Sequence, residues 1–166
     1  MKYDCCFTKE NNWFRYRTGG ILLHDNKMLF VQCAVDDYYY MVGGGVHLGE
    51  TSDACIEREV FEEAGIHAEA QSIAVVCENF FEGFGGNIYG LDCHTIEFYY
   101  HMKIVDEDIS LCKSVTDDGE KLVWLPIDEI RTSNIKPEFI KDNIEKILDE
   151  RKIIHIIEEK GGYRLL

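Results

Sequence analysis

Apolar and polar residues alternate in short runs near the start of the chain. Residues 13–24 (WFRYRTGGILLH) and 28–35 (MLFVQCAV) are rich in aromatic and branched side chains and flank a polar break at 25–27. Two such runs around a polar turn predict a β-hairpin. The run YYYMV at residues 38–42 predicts a third, short strand.

The spacing of apolar residues changes from that of a strand to that of a helix after residue 51. Ile56, Val60 and Ala64 lie four residues apart, so they fall on one face of a helix. A hydroxyl residue at position 51 or 52 offers an N-cap, and Gly65 offers a stop. The pattern predicts a helix of about three turns over residues 52–64.

The rest of the chain predicts strands first and a helix near its end. The predicted strands are residues 72–81, 94–105 and 121–127, separated by a glycine-rich loop at 82–90 and an acidic stretch at 106–120. Residues 137–148 (PEFIKDNIEKIL) predict one helix that begins near Pro137, and residues 153–166 predict a terminal hairpin. Strands interspersed with two helices predict an α/β or α+β sandwich.

The composition fits one compact domain over residues 1–166. Of the 166 residues, 46% are hydrophobic, which is enough for a substantial core. No apolar run approaches the ~20 residues of a membrane span, and the first residues lack the apolar stretch of a signal peptide, so we expect a cytoplasmic protein without a membrane contact. The seven scattered cysteines include no CxxC pair and are expected to be reduced thiols.

The formal net charge of −14 limits the classes of partner. Such a charge repels the phosphate backbone, so we expect no general binding of nucleic acids. Small anionic substrates remain open where cations mediate the contact. The charge is also concentrated, because residues 43–66 hold six carboxylates and one arginine.

Three glutamates lie on neighbouring parts of the predicted helix surface. At about 100° per residue, Glu59, Glu62 and Glu63 share roughly a third of the circumference and border the apolar face. Carboxylates about 6 Å apart repel one another by roughly 3 kcal/mol per pair at an effective dielectric constant of about 20. One interpretation is a solvated acidic stripe; the other is a site for Mg²⁺ or Mn²⁺, which favour oxygen ligands.

The glycines admit a different interpretation, a phosphate-binding P-loop. Gly44 and Gly49 have the required spacing, and Thr51 supplies the hydroxyl. Glu50, however, stands where that motif needs a lysine, and its charge would repel the phosphates. We therefore disfavour the P-loop.

The acidic segment resembles the signature of an enzyme family, the Nudix hydrolases. The chain reads Gly44-x5-Glu50-x7-Arg58-Glu59-Val60-x-Glu62-Glu63-x-Gly65-Ile66. This matches every fixed position of the signature, and the later segment VWLPIDEI, residues 123–130, is similar to one common in the family. The resemblance covers roughly residues 15–140 and implies an α/β/α sandwich around a mixed β-sheet.

The resemblance also implies an activity and its site. The activity is hydrolysis of the pyrophosphate bridge in a nucleoside diphosphate linked to another group, X. The implied ligands of Mg²⁺ or Mn²⁺ are Glu59, Glu62, Glu63 and the backbone carbonyl of Gly43. Glu50 and Arg58 are implied as close supports, since an arginine fork can hold a carboxylate at a fixed angle. No organic cofactor is implied.

The residue that takes a proton from the attacking water is left open. Glu59 is the first choice within the signature. The family also draws this base from outside the signature, and the acidic stretch offers Asp117, Asp118 and Glu120.

Other interpretations of the same fold are a module that binds ADP-ribose or another nucleotide without hydrolysing it, and an isopentenyl diphosphate isomerase. The complete set of signature glutamates argues against the first, and no additional Cys/Glu arrangement supports the second. Phe80 and Phe81 either stack on a base or fill the core. Residues 141–166 either complete the sheet or form the surface of a homodimer.

Overall fold

The computed structural model describes residues 3–166, and within them nine strands form one sheet. Residues 1–2, which the single predicted domain includes, lie outside this range. The strands are β1 (Cys6–Lys9), β2 (Asn12–His24), β3 (Lys27–Gln32), β4 (Tyr39–Tyr40), β5 (Ala68–Glu82), β6 (Asp92–Ile104), β7 (Lys121–Pro126), β8 (Ile154–Glu159) and β9 (Gly162–Leu165). The α-helices are α1 (Ser52–Ala64), α2 (Phe139–Asp142) and α3 (Ile144–Ile147). Not one of these helices is long and apolar enough to cross a membrane.

The strand order is β4-β3-β2-β6-β5-β8-β9, with β1 paired to β2 and β7 paired to β3. β2 runs parallel to β6, and β5 runs parallel to β8. The other pairs are antiparallel. The mixed sheet that the family resemblance implies is thereby confirmed.

The predicted hairpin is the pair β2–β3. His24 pairs with Lys27, and Asp25 and Asn26 between them have φ of 46° and 59°. A two-residue hairpin turn requires these left-handed values, and Asp and Asn tolerate them. β3 ends at Gln32 rather than at residue 35, and the third predicted strand is reduced to the short β4.

α1 has the bounds that the apolar spacing predicts. Ile56, Val60 and Ala64 are fully buried, so the predicted face packs against the sheet. Gly65 follows with φ of 70°, a left-handed conformation that ends many helices and that glycine adopts without strain. Thr51 occupies the N-cap position, although its side chain makes no capping hydrogen bond.

The single helix predicted over residues 137–148 is wrong, because the structure has the two short helices α2 and α3. Asn143 separates them with φ of −117° and ψ of 20°. Its side-chain amide donates to the Phe139 carbonyl and to the Tyr163 hydroxyl, each at 3.0 Å. These bonds stabilise a local alternative to the helical ladder that periodicity alone does not reveal.

Two apolar cores lie on opposite faces of the sheet. Neighbouring residues of β2 point to opposite cores. Ile21 packs in the core that contains α2 and α3, and Leu22 packs in the core that contains α1. Phe139 and Ile144 belong to the first core, and Val60 belongs to the second. Helices on both faces of a mixed sheet make the α/β/α sandwich that the family resemblance implies.

The middle of β2 binds the loop that contains the glycines at 43–45, called the glycine loop below. One edge of β2 pairs with β6 along most of its length, whereas the other edge pairs with β1 at its start and β3 at its end. Between these two, Thr18 N donates to the Gly44 carbonyl and Gly20 N donates to the Val42 carbonyl, each at 2.9 Å. The sheet thereby fixes the loop that leads into α1.

The predicted terminal hairpin is confirmed as β8–β9. β8 extends the sheet beside β5, where Asn79 pairs with Glu158, and its residues Ile154 and Ile156 are buried. Completing the sheet is therefore one role of the terminal residues. A homodimer surface stays a prediction.

Candidate active site

The glycine loop brings its backbone against the acidic helix. A Cβ at Gly43 would lie 2.1 Å from the Thr18 carbonyl oxygen, and Gly43 has a φ of 146°. A Cβ at Gly44 would lie 2.4 Å from the Glu59 carboxylate. Position 43 therefore requires glycine for the loop to pass β2 at this distance, whereas a Cβ at position 44 would displace the Glu59 carboxylate. The Gly43 amide then donates to Glu63 Oε2 at 3.3 Å.

Arg58 gathers three of the predicted site glutamates. Its Nε and Nη2 donate to the two oxygens of Glu50 at 2.8 and 3.0 Å. Its Nη1 donates to Glu59 at 2.5 Å and to Glu62 at 2.9 Å. The hydrogen bonds from Arg58 lower the pKa of Glu50 to about 2, so this carboxylate is held ionised and fixed in orientation.

Glu63 is half-buried beneath the glycine loop. Burial raises its pKa to about 7, and the negative charges of Glu59 and Glu120 add to the effect. The Gly43 amide and the charge of Arg17 oppose it. Burial and the neighbouring negative charges disfavour the ionised form of this carboxyl, which a bound cation would stabilise.

The predicted metal ligands fit a divalent cation in their chemistry. Glu59, Glu62, Glu63 and the Gly43 carbonyl offer only oxygen donors, the type that Mg²⁺ and Mn²⁺ favour. Arg58 holds two of these glutamates in this structure. Within residues 3–166, no three acidic, histidine or cysteine side chains are grouped closely enough to hold an ion. The glutamates would therefore have to turn from Arg58 to share one.

Asp117, Asp118 and Glu120 were considered as bases outside the signature. Of these three, Glu120 lies near the signature glutamate Glu63. It accepts a hydrogen bond from the Tyr40 hydroxyl, and its charge acts on Glu63. Asp117 forms an exposed ion pair with a lysine, and Asp118 is exposed in the adjoining turn. The structure thus brings Glu120 to the site and leaves the other two outside it.

A cavity of about 550 Å³ opens beside these carboxylates. Polar and aromatic side chains from four strands line it: Trp13, Arg15, Arg17, Asn79, Phe81, Thr95, Glu97 and Glu158. Glu120 and Tyr40 line it too, and Arg17 Nη2 reaches the Gly43 carbonyl at 3.5 Å. Arg17 and Glu120, which line the cavity, also act on Glu63, so the cavity adjoins the carboxylates of α1.

The sequence analysis missed the polar residues of this cavity. Glu97 is 4% exposed, and its carboxylate accepts hydrogen bonds from the Thr95 hydroxyl at 2.7 Å and the Tyr99 hydroxyl at 2.5 Å. A charged residue among the mostly apolar and aromatic residues 96–102 (IEFYYHM) is the signal that could have found it. Buried polar groups of this kind need partners, and here Thr95 and Tyr99 of the same strand and Asn79 of β5 supply them.

Phe80 and Phe81, which were considered for base stacking, lie in two different environments. Phe81 lines the cavity. Phe80 stacks on His94, with 4.3 Å between ring centroids. Both side chains are partly exposed, so neither fills the core. Stacking of Phe81 on a base stays a prediction.

Comparison of the chain with models of protein families identifies its family. The family model of the NUDIX domain matches residues 13–146. The chain belongs to the Nudix family. This confirms the resemblance drawn from the signature, and with it the predicted enzyme class, a Nudix-type pyrophosphohydrolase. Nudix hydrolases generally use a divalent metal. No curated protein matches the chain.

Solved Nudix structures share the fold. A mutator MutT protein from Bacillus halodurans has a TM-score of 0.65 at 17% identity, covering 91% of this chain and 97% of that one. A UDP-X diphosphatase has a TM-score of 0.60 at 19% identity, covering 82% and 62%. An ADP-ribose pyrophosphatase from Streptococcus suis has a TM-score of 0.60 at 13% identity, covering 83% and 92%. At such identities the likeness to these Nudix proteins shows the fold and leaves the substrate open.

Proposed function

We propose that this chain is a metal-dependent hydrolase that cleaves the pyrophosphate bridge of a nucleoside diphosphate linked to a group X. The observation that carries the proposal is the junction of two features, the carboxylates around Arg58 and the cavity that leads from them across the sheet. The first suits a cation and a phosphate bridge. The second is large enough for a nucleoside or for X.

Mg²⁺ or Mn²⁺ would be held by oxygens of Glu59, Glu62, Glu63 and the Gly43 carbonyl. When bound, the ion would neutralise charge on the phosphate oxygens and lower the pKa of a water. Arg58 would keep Glu50 in place through its two hydrogen bonds, and Gly44 would leave room for the Glu59 carboxylate.

Glu120 is the carboxylate that we assign to accept the proton of the attacking water. Its oxygens bond to two neutral donors, the Tyr40 hydroxyl and the Ala34 amide. These bonds orient the carboxylate and leave further lone pairs for a water. Glu59, the first choice within the signature, is engaged by Arg58 at 2.5 Å and is assigned to the metal.

Two arginines of β2 would receive the phosphates. Arg15 and Arg17 line the cavity where it meets the glycine loop, and Arg17 Nη2 already lies 3.5 Å from the Gly43 carbonyl. A guanidinium presents several donors in one plane and suits phosphate oxygens. These cations would offset the acidic surroundings when an anionic substrate enters.

We further propose that the partner is a small nucleotide derivative and that the enzyme acts in the cytoplasm. The net charge of −14 disfavours a nucleic-acid chain as substrate. All seven cysteines are free thiols, which is typical of a reducing compartment.

A substrate screen tests the proposal. ADP-ribose, diadenosine polyphosphates, nucleotide sugars and oxidised deoxynucleoside triphosphates are incubated with and without Mg²⁺, and released phosphate or nucleoside monophosphate is measured. We expect metal-dependent release from one of these classes, and its loss in the Glu63→Gln variant. Nucleotide binding without release under every metal condition would overturn the proposal and favour the sensing module instead.

A further inference from the structure

One buried carboxylate oxygen in the cavity has no hydrogen-bond partner. Glu158 Oε2 is shielded from solvent, and nothing in the part of the chain that the structure describes donates to it. Burial raises the pKa of Glu158 to about 7; the charges of Glu97 and Glu138 add to the effect, and that of Lys136 opposes it. A buried acceptor without a donor is costly, and the Glu158 side chain lines the cavity, so a small turn of the carboxylate would offer this oxygen to a donor on the ligand.

Glu158 lies on β8, outside the residues 13–146 that match the family model. The pairing of β8 with β5 puts Glu158 directly beside Asn79, and both side chains line the cavity. Asn79 Nδ2 donates one hydrogen bond, to Glu97 at 3.4 Å. Its second N–H and its carbonyl oxygen are left for a ligand. The terminal hairpin therefore adds a polar corner to the cavity.

Arg15, Thr95, Asn79 and Glu158 form one row across the sheet. The row spans three strand spacings, about 14 Å from β2 to β8. Arg15, which is ion-paired with Asp4 at 3.3 Å, lies at its β2 end, on the same strand as Arg17, whose charge acts on Glu63 of α1. Glu158 lies at its β8 end. A nucleotide with its phosphates near Arg15 would bring its base to Glu158.

We propose that Glu158 and Asn79 recognise the base of the substrate and that this base is guanine. The inference rests on the proposed function for the position of the phosphates. An ionised carboxylate only accepts hydrogen bonds. Guanine presents two adjacent donors on its pairing edge, N1–H and the 2-amino group, and the neighbouring O6 accepts from the free N–H of Asn79.

The other standard bases match this pair of side chains less well. Adenine and cytosine place an unprotonated ring nitrogen beside the amino donor, and a carboxylate oxygen would repel it. Uracil and thymine flank a single N–H with two carbonyl oxygens. Trp13 and Phe81 line the same cavity and offer aromatic faces to a purine ring.

Binding of nucleoside monophosphates without metal tests the inference separately from hydrolysis. GMP, IMP and AMP are titrated calorimetrically into the full chain at about pH 8, where the Glu158 carboxyl is mostly ionised. IMP lacks only the 2-amino group of GMP and so isolates one of the two donors. We expect GMP to bind roughly 10- to 100-fold more tightly than IMP, and AMP to bind most weakly.

The Glu158→Gln variant should change the order of affinities. A glutamine of the same shape places an N–H beside its acceptor oxygen, which matches adenine and opposes the two donors of guanine. We expect the preference for GMP over IMP to disappear and AMP to bind at least as well as GMP. Glu159→Gln is the matched control, because alternation along β8 directs that side chain to the opposite face. It should keep the native order.

Equal affinities of GMP and IMP for the native chain, or no binding of any of the three, would overturn the inference. An unchanged preference in Glu158→Gln, with the variant folded by its melting curve, would do the same. Metal-dependent hydrolysis without a guanine preference would reject the role of Glu158 and leave the proposed function standing. A guanine preference in binding without any hydrolysis would support Glu158 and reject the proposed function.

Discussion

The signature segment, residues 44–66, and the β8 end of the cavity differ in how the negative charge of their carboxylates is compensated. In the signature segment one guanidinium, that of Arg58, contacts three carboxylates. It lowers the pKa of Glu50 to about 2. At the β8 end, Glu158 has a buried oxygen without a donor, and burial raises its pKa to about 7.

This difference divides the carboxylates into those that orient other groups of the site and one, Glu158, that is available to recognise a ligand. A carboxylate that an arginine holds ionised has its partner inside the protein and serves to fix the geometry. A buried carboxylate without a donor can be satisfied only by protonation or by a ligand. We therefore assign the chemistry to the signature segment and the choice of base to the opposite end of the cavity.

The largest effect is expected from Glu63→Gln, which alters the signature segment alone. Loss of a metal ligand should lower metal-dependent turnover by roughly 1000-fold or more. The melting temperature should stay equal or rise, because the raised pKa of Glu63 shows that its charge is unfavourable in the folded state. Steady-state assays and thermal melts measure both quantities. Glu57→Gln, on the exposed side of α1, is the control. Full activity in Glu63→Gln would remove the metal role from this residue.

Glu120→Gln is expected to have the second-largest effect. Loss of the proton acceptor should lower kcat by roughly 100-fold, while metal affinity stays unchanged because the ligands remain. Asp117→Asn removes a carboxylate of the same stretch that lies in an exposed ion pair and should be nearly silent. Rate assays over a range of pH compare the two variants. Equal activities would reassign the proton acceptor, with Glu59 as the next candidate.

Gly44→Ala should have a smaller effect that also distinguishes the two ends of the site. The added Cβ would lie 2.4 Å from the Glu59 carboxylate and must displace it, so we expect metal affinity and kcat to fall roughly tenfold. GMP binding without metal should not change, because the β8 end is untouched. Calorimetry measures both affinities. A loss of GMP binding equal to the loss of metal binding would show that the two ends are not separable.

The smallest effect concerns stability at acid pH. The pKa of Glu50 falls from 4.5 to about 2 on folding, so its contribution is complete above pH 4.5 and is lost as the pH falls toward 2. The native chain should lose free energy of unfolding across this window relative to Glu50→Gln, which has no such group. Urea unfolding at several pH values measures the difference. Parallel curves for the two proteins would mean that Arg58 does not stabilise Glu50 as described.

Elements that depend on local sequence were predictable. The four-residue spacing of Ile56, Val60 and Ala64 and the stop at Gly65 fixed α1 to the residue. The break at Asn143 was not predictable, because its amide bonds to Tyr163, which lies 20 residues further on. Local patterns carry no information about such a partner.

The candidate site likewise combines residues that are close together in the sequence with residues that are far apart in it. The signature glutamates lie within one helix, so their grouping follows from spacing alone. Arg17, Glu97 and Glu158 come from three different strands and meet only because those strands share a sheet. Strand order and register depend on long-range packing, which one sequence does not display. The half of the site that we assign to catalysis was therefore foreseeable, and the half that we assign to base recognition was not.

Anomalous diffraction from crystals grown with Mn²⁺ and a nucleoside diphosphate tests the central claim most directly. The account predicts an anomalous peak bounded by Glu59, Glu62, Glu63 and the Gly43 carbonyl, with the nucleotide in the adjoining cavity. A bound nucleotide with no ion among these oxygens would contradict it.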